Sequence, residues 1–95
     1  MKQTVPEISK EESLIEFPCD FPVKVMGSAI PEFHRRILEI VTKHDSHFNP
    51  DEIKQRDSKT GKYTSLTLNI HAKNKSQLDA LYQELTDCEL VLWAL

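Results

Sequence analysis

Residues 63–72 alternate strictly between two kinds of side chain. Every second position is apolar or a threonine, and the positions between are mostly polar: Thr64, Leu66, Leu68, Ile70 and Ala72 alternate with Tyr63, Ser65, Thr67, Asn69 and His71. Successive side chains of a β-strand point to opposite faces, so the pattern predicts a half-buried strand. We expect its apolar face to lie under helices and its polar face to remain open.

A shorter alternation of the same kind predicts a first strand over residues 21–26. It ends at Gly27, because glycine lets the chain turn sharply. Pro31 then suits the first turn of a helix, and Glu32 suits the positive end of its dipole. The apolar residues that follow are three or four positions apart, which predicts a helix over residues 31–44.

The second half of the chain predicts a hairpin, a helix and a last strand. Residues 52–57 are charged, as suits an edge strand, and Gly61 supplies the turn into the alternating strand. Ser76 begins a variant of the capping box, which predicts a second helix that ends near Asp87. The continuous apolar run of residues 90–95 favours a strand.

The order strand, helix, strand, strand, helix, strand matches the split βαβ arrangement of ferredoxin-like folds. We therefore predict an α+β, βαββαβ two-layer sandwich, in which an antiparallel four-stranded sheet has the order 4-1-3-2. Right-handed crossovers place both helices on one face of this sheet. The other face is predicted to be an interaction surface formed by Lys24, Met26, Tyr63, Ser65, Thr67, Asn69, His71 and Leu92.

Length and charge limit the classes of function. A chain of 95 residues is enough for one domain, which we expect to span residues 17–95 after a mobile N-terminal arm of residues 1–16. A net charge of -3 argues against a nucleic-acid binder. With no apolar run of membrane-spanning length and no secretory leader, we expect a cytoplasmic protein in which Cys19 and Cys88 are free thiols.

Short segments spread along the chain carry a family resemblance: Glu16-Phe17-Pro18, Lys24-Val25-Met26-Gly27, Pro31-Glu32, Gly61-Lys62-Tyr63-Thr64-Ser65 and Leu81-Tyr82-Gln83-Glu84-Leu85. They closely resemble the small bacterial YbeD family, and the resemblance covers nearly the whole chain from Ser13 onward. It implies a ferredoxin-like fold similar to the ACT regulatory domains. It also implies a regulatory role connected with lipoate metabolism, and it brings no catalytic residues.

Two histidines near the end of the first predicted helix raise the question of a metal site. His44 and His47 are three residues apart, and Asp45 and Asp51 lie near them. Zinc needs three or four convergent ligands, whereas this stretch is a helix end that runs into a loop. We therefore expect no metal here, and a cationic histidine that helps to cap the helix.

The sequence also argues against an enzyme. A nucleophile needs a base within hydrogen-bond reach, yet Ser65 lies roughly 20 Å along the strand from His71. Cys19 with His71 is the other pair to consider. The chain has only two glycines, Gly27 and Gly61, which excludes a phosphate-binding loop. We expect a non-enzymatic regulatory or interaction module without a cofactor.

A small-molecule effector has one candidate site, at Gly27, Ser28 and Ala29. Gly27 lets a ligand approach the backbone closely, and the start of a helix offers unpaired N–H groups that suit a carboxylate or phosphate. Pro31 argues against this site, because proline removes one of those donors.

A protein partner or a second copy of the chain is the alternative to an effector. Either one would use the open sheet face or the apolar last strand, whose predicted outward residues are Leu90, Leu92 and Ala94. RNA has little support, since Tyr63 is the one aromatic clearly expected on the open face. A basic cluster around the hairpin either attracts an anion or is simply solvated: Lys54, Arg56, Lys59 and Lys62.

Overall fold

The structure, a computed structural model, describes residues 16–95. Its elements follow the predicted order: β1 Cys19–Ser28, α1 Pro31–His44, a 3-10 turn Pro50–Glu52, β2 Lys54–Asp57, β3 Tyr63–Ala72, α2 Lys75–Asp87 and β4 Val91–Ala94. All strand pairings are antiparallel, and the sheet order is β2-β3-β1-β4. The predicted ferredoxin-like α+β fold is confirmed. The predicted arm, apart from Glu16, lies outside the described residues.

The alternation of β3 decides which face of the sheet is covered. Leu66, Leu68, Ile70 and Ala72 are completely buried, because they share one core with both helices. The helices contribute Phe33, Ile37 and Val41 from α1, and Leu81 and Leu85 from α2. Burial of apolar surface stabilises a fold by roughly 25 cal/mol per Å², so this layer holds the two helices on the sheet. Neither helix within residues 16–95 is long and apolar enough to span a membrane.

Gly27 is required by close packing between the sheet and α1. A Cβ atom at this position would lie 2.4 Å from Cε1 of Phe33 and 2.4 Å from the backbone oxygen of Leu90. Both distances are too short for any side chain. The space that glycine leaves is therefore filled by the ring of Phe33.

β1 is longer than predicted, Cys19–Ser28 instead of residues 21–26, and β4 is shorter, Val91–Ala94 instead of residues 90–95. The starts of two further elements also differ. The predicted cap Ser76 is wrong: it lies inside α2, and the helix is capped by Asn74, whose side chain accepts a hydrogen bond from the backbone N–H of Gln77 at 2.9 Å. β2 begins at Lys54 rather than at residue 52, because Pro50–Glu52 forms a 3-10 turn. In each case a nearby asparagine side chain starts the turn.

Candidate functional site

The open face of the sheet carries two rows of side chains that run across its strands. Residues that lie directly opposite each other on neighbouring strands point to the same face. Lys24 lies opposite Thr67, and Thr67 lies opposite Lys54. On the other side of β1, Lys24 exchanges backbone hydrogen bonds with Leu95 at 3.0 and 2.8 Å. The first row is therefore Leu95, Lys24, Thr67 and Lys54.

The second row lies two residues further along β1 and consists of Trp93, Met26, Ser65 and Arg56. We refer to the two sets together as the cross-strand rows. In both, the end at β4 is apolar, the β3 position carries a hydroxyl and the end at β2 carries a cation. Neighbouring strands are about 4.8 Å apart, so the apolar and cationic ends are separated by about 14 Å.

The ends of the cross-strand rows are exposed, and among the central residues Lys24 is exposed too, whereas Thr67 and Met26 are half-buried and Ser65 is buried. Leu95 is 71% exposed and Trp93 is 38% exposed, while Lys54 and Arg56 are also open to solvent. Ser65 in the centre is buried, and its hydroxyl donates to the backbone oxygen of Arg56 at 3.4 Å. A cleft of about 470 Å³ adjoins the Lys54 end. Thr67 lines this cleft together with the carboxylates of Asp51 and Glu52.

The prediction for the last strand is wrong for two residues, Leu90 and Ala94. Ala94 lies opposite the buried Val25, and Leu90 packs against the core. The pairing of β1 with β4 shifts register between Met26 and Gly27, which lie opposite Trp93 and Val91. Leu92 is therefore an extra residue in a β-bulge, and 57% of its surface is exposed. A continuous apolar run has no alternation that indicates which residue faces outward. Sequence reasoning did not place four residues of the rows on the open face: Trp93, Leu95, Lys54 and Arg56.

The shape of β4 favours contact through the face rather than through the edge. This strand is only four residues long, and the bulge interrupts its pairing. Short strands and bulges both discourage another chain from adding to an edge. Self-association through β4 stays a prediction.

The other predicted residues of the open face flank the rows. Tyr63 is 42% exposed and lies opposite Ser28, at the end of β1 nearest α1. Asn69 lies beyond the first row, where its side-chain amide donates to Oε1 of Glu52 at 3.3 Å. His71 lies still further along β3, next to the loop after α1.

The loop predicted to bind an effector has most of its backbone donors in use. The N–H of Ala29 donates to the oxygen of Lys62 at 2.9 Å, and the N–H of Ile30 donates to the oxygen of Ser28 at 2.8 Å. Gly27 is buried under Phe33. A cleft of about 410 Å³ nevertheless lies beside Ala29 and Ile30. The effector site stays a prediction that rests on this cleft.

Asp45 is a buried carboxylate that covers the free edge of β3. β2 pairs only as far as Thr67. Beyond that point Oδ2 of Asp45 accepts hydrogen bonds from the N–H of His71 at 2.8 Å and from its ring Nδ1 at 3.0 Å, and Oδ1 accepts from the N–H of His47 at 3.0 Å. Burial by itself raises the pKa of Asp45, but these hydrogen bonds outweigh it and lower the pKa. The carboxylate of Asp45 thus holds the loop after α1 against β3.

The histidines considered as metal ligands have separate partners. His44 donates from Nε2 to Oε1 of Glu84 at 2.8 Å, and Lys43 donates to Oε2 of the same carboxylate at 2.6 Å. The hydrogen bond from Lys43, followed by that from His44, lowers the pKa of Glu84. His47 instead contacts the ring of His71 edge-on, with centroids 6.4 Å apart. Among the described residues no three His, Cys, Asp or Glu side chains are arranged to hold a metal.

Cys19 and His71 leave the sheet on opposite faces. Cys19 lies opposite Ala72, which is buried on the helix side, whereas His71 lies opposite Asp20 on the open side. Both residues nevertheless border one cleft of about 450 Å³, together with His47. The ring of His71 is hydrogen-bonded to Asp45 rather than to the thiol, so the hydrogen bond between nucleophile and base is not formed.

Comparison with known proteins identifies the family. A family model described as "Protein of unknown function (DUF493)" matches residues 12–95. The chain belongs to this family. It is 47% identical over 85 residues to a UPF0250 protein of Leptothrix cholodnii, covering 90% of this chain and 93% of the relative. It is 44% identical over 89 residues to a UPF0250 protein of a Janthinobacterium species, covering 94% and 98%.

A solved structure has the same fold as this DUF493 protein. The solution structure of protein HP0495 from H. pylori matches with a TM-score of 0.60 and 20% sequence identity, and the match covers 85% of each chain. The family resemblance noted in the sequence is thereby confirmed, and so is the fold. Both cross-strand rows lie inside the region that matches the family model, and residues 1–11 lie outside it.

Proposed function

We propose that this DUF493 protein is a non-enzymatic interaction module that binds an acidic segment of a partner protein on its open sheet face. The composition of the cross-strand rows carries the proposal. Their cationic ends attract carboxylates, and their apolar ends accept an aliphatic or aromatic side chain. Complementary charge of this kind steers a partner to a surface and selects it over others.

The cations of the rows are available to a partner. Lys24, Lys54 and Arg56 form no ion pair within residues 16–95, where the ion pairs join other groups, such as Lys43 and Glu84. The chain as a whole carries a net charge of -3. The cations are therefore a local feature of the rows, because Asp20 lies on the same face further along β1 and Asp51 and Glu52 line the cleft beside Lys54.

A second copy of the chain fits this face less well than an acidic partner does. In a symmetric dimer the same surface patch of both copies meets itself. A dimer that covered the whole face would bring the cations of both copies together, which costs free energy.

Single-stranded RNA fits less well than a protein. The exposed aromatics Tyr63 and Trp93 lie on strands separated by β1, and Trp93 has the apolar Met26 beside it. Non-specific RNA binders combine a positive groove with successive stacking platforms. An apolar patch joined to separate cations suits an amphipathic protein segment better.

A photoreactive residue in the centre of the rows tests this proposal. We would place p-benzoylphenylalanine at Thr67 in the full-length protein in its native cells, and at the exposed Glu39 of α1 as a control. Irradiation should crosslink position 67 to a segment rich in Asp and Glu, which peptide sequencing identifies. Equal yields of the same adducts from both positions, or an adduct to RNA from position 67, would contradict the proposal.

A regulatory module with a small-molecule effector is the second candidate. The cleft beside Ala29 supports it, and the family resemblance suggests a carboxylate such as lipoate. Titrations with lipoate and with amino acids, followed by amide chemical shifts, test this candidate. Amide shifts confined to residues 27–30 would support an effector site, and unchanged shifts there for every compound would rule it out.

A further inference from the structure

Resting on the proposed function, we infer that the partner's acidic segment binds as an amphipathic α-helix that lies along the cross-strand rows, across the strands, with its acidic C-terminal end over β2. The edges of the sheet do not suit the alternative, an added strand. β2 and β4 have only four residues each, β2 is charged and β4 is bulged. Where β4 does not pair with β1, Pro22 has no N–H to donate. Asp45 covers the free edge of β3.

The open face favours a helix over an extended segment. Both central strands, β1 and β3, have a neighbour on each side, and Lys24 exchanges its backbone hydrogen bonds with Leu95. An extended segment on this face would find no backbone partners in the rows. A helix pairs its own N–H and C=O groups and offers a row of side chains to a surface. α2 already packs on the opposite face in this way, through Leu78, Leu81 and Leu85.

The dimensions of the rows fix the direction of the helix axis. Across the strands the rows extend for about 14 Å, which is the length of nine or ten helical residues at 1.5 Å per residue. Along the strands they extend for only about 7 Å, fewer than five helical residues. A helix aligned with the strands would run past the rows toward the carboxylates of Asp20 and Glu52, which repel an acidic segment. In the other direction the paired strands end at Ser28 and Tyr63.

The charges of the rows fix which end of the helix lies over β2. The C-terminus of a helix carries unpaired C=O groups and a partial negative charge, which suit the cations Lys54 and Arg56. The first turn then places apolar side chains on Met26, Trp93 and Leu95. Residues three, four, seven and eleven positions apart share one face of a helix. The partner should therefore have apolar residues at i and i+3 or i+4, and acidic residues from about i+7 to i+11.

Crosslinks from the two ends of the first row measure the conformation of the bound segment. We would place p-benzoylphenylalanine at Leu95 in one full-length protein and at Lys54 in another, both in native cells, and again at Glu39 of α1 as a control. The two attachment points should lie about seven to eleven residues apart in the partner, with the point reached from Leu95 nearer its N-terminus. Any other separation, such as the four or so residues by which an extended chain spans about 14 Å, overturns the inference. The opposite order also overturns it, and so do adducts from position 67 without adducts from both ends.

Proline substitution tests the helix independently, with the crosslinked segment prepared as a synthetic peptide. Proline in the middle of the peptide should weaken binding at least about ten-fold, because it breaks a helix, whereas alanine at the same position should change Kd by less than about two-fold. The fluorescence of Trp93, the single tryptophan of the chain, reports binding. Equal Kd values for the two peptides overturn the inference. An acidic adduct from position 67 then still supports the proposed function, whereas adducts from position 67 without Asp and Glu contradict both.

Discussion

The carboxylate of Asp45 is bound twice by His71, once by its backbone N–H and once by its imidazole. These residues are 26 positions apart, and their contact ties the loop after α1 to the part of β3 that β2 leaves uncovered. The buried charge thus replaces a strand at the edge of the sheet.

Acid should therefore destabilise the fold through Asp45. Its pKa in the folded protein is lowered from the ordinary value of 3.8, because the hydrogen bonds outweigh the effect of burial. A group with a lowered folded-state pKa stabilises the protein fully above its unfolded-state pKa, and this contribution is lost as the pH falls toward the folded-state value. Denaturant titrations between about pH 6 and pH 3 should show this loss of unfolding free energy.

Asp45→Asn isolates this contribution. The amide keeps one acceptor oxygen and turns an NH₂ group toward donors, so we expect a loss of about 2–3 kcal/mol in unfolding free energy at neutral pH. The acid dependence should also become shallower. Asp51→Asn, an exposed change in the same loop, is the control. It should change neither the unfolding free energy at neutral pH nor its dependence on acid. An unchanged acid dependence in Asp45→Asn would refute this role.

Leu68→Ala tests which face of β3 packs against the core. Leu68 is completely buried between the sheet and the helices, so the substitution should cost roughly 2–5 kcal/mol of unfolding free energy. Thr67→Ala, on the half-buried open face, should cost less than about 1 kcal/mol. Equal losses in denaturant titrations would mean that the assignment of faces is wrong.

Gly27→Ala should be more damaging than Gly61→Ala. At Gly27 the new methyl group meets the ring of Phe33 and a backbone oxygen, so we expect a loss of about 1–3 kcal/mol or more. At Gly61 no atom lies within 4 Å, but φ is +75°, which costs an alanine about 1 kcal/mol. Thermal unfolding of both variants measures which of them loses more stability. Greater damage at Gly61 would refute the packing role of Gly27.

Periodic segments of this chain could be predicted from the sequence, and non-local contacts could not. The alternation of residues 63–72 predicts β3 at its observed bounds, and the spacing of apolar residues predicts α1 as Pro31–His44. The partner of Asp45 is set by the tertiary fold, so no local pattern reveals it. The cap of α2 was misassigned because Asn74 and Ser76 are both good capping residues two positions apart.

The candidate site was only partly predictable for a related reason. Alternation identifies the open-face residues of β1 and β3, including Met26 and Thr67. The inclusion of Arg56 follows only from the register of the hairpin, and that of Trp93 only from the β-bulge. Pairing the residues on either side of the turn at Gly61 would have placed Arg56 opposite Ser65, and so on the open face.

The affinity of the crosslinked acidic segment, prepared as a synthetic peptide, tests the central claim most directly. We would compare wild type with Lys54→Glu/Arg56→Glu and with Lys59→Glu/Lys73→Glu, which changes the net charge equally at exposed positions outside the rows. The account predicts a loss of at least about ten-fold in Kd, or about 1.4 kcal/mol, for the first variant and less than about two-fold for the second. Equal losses in the two variants would contradict it, because binding would then depend on net charge and not on the cross-strand rows.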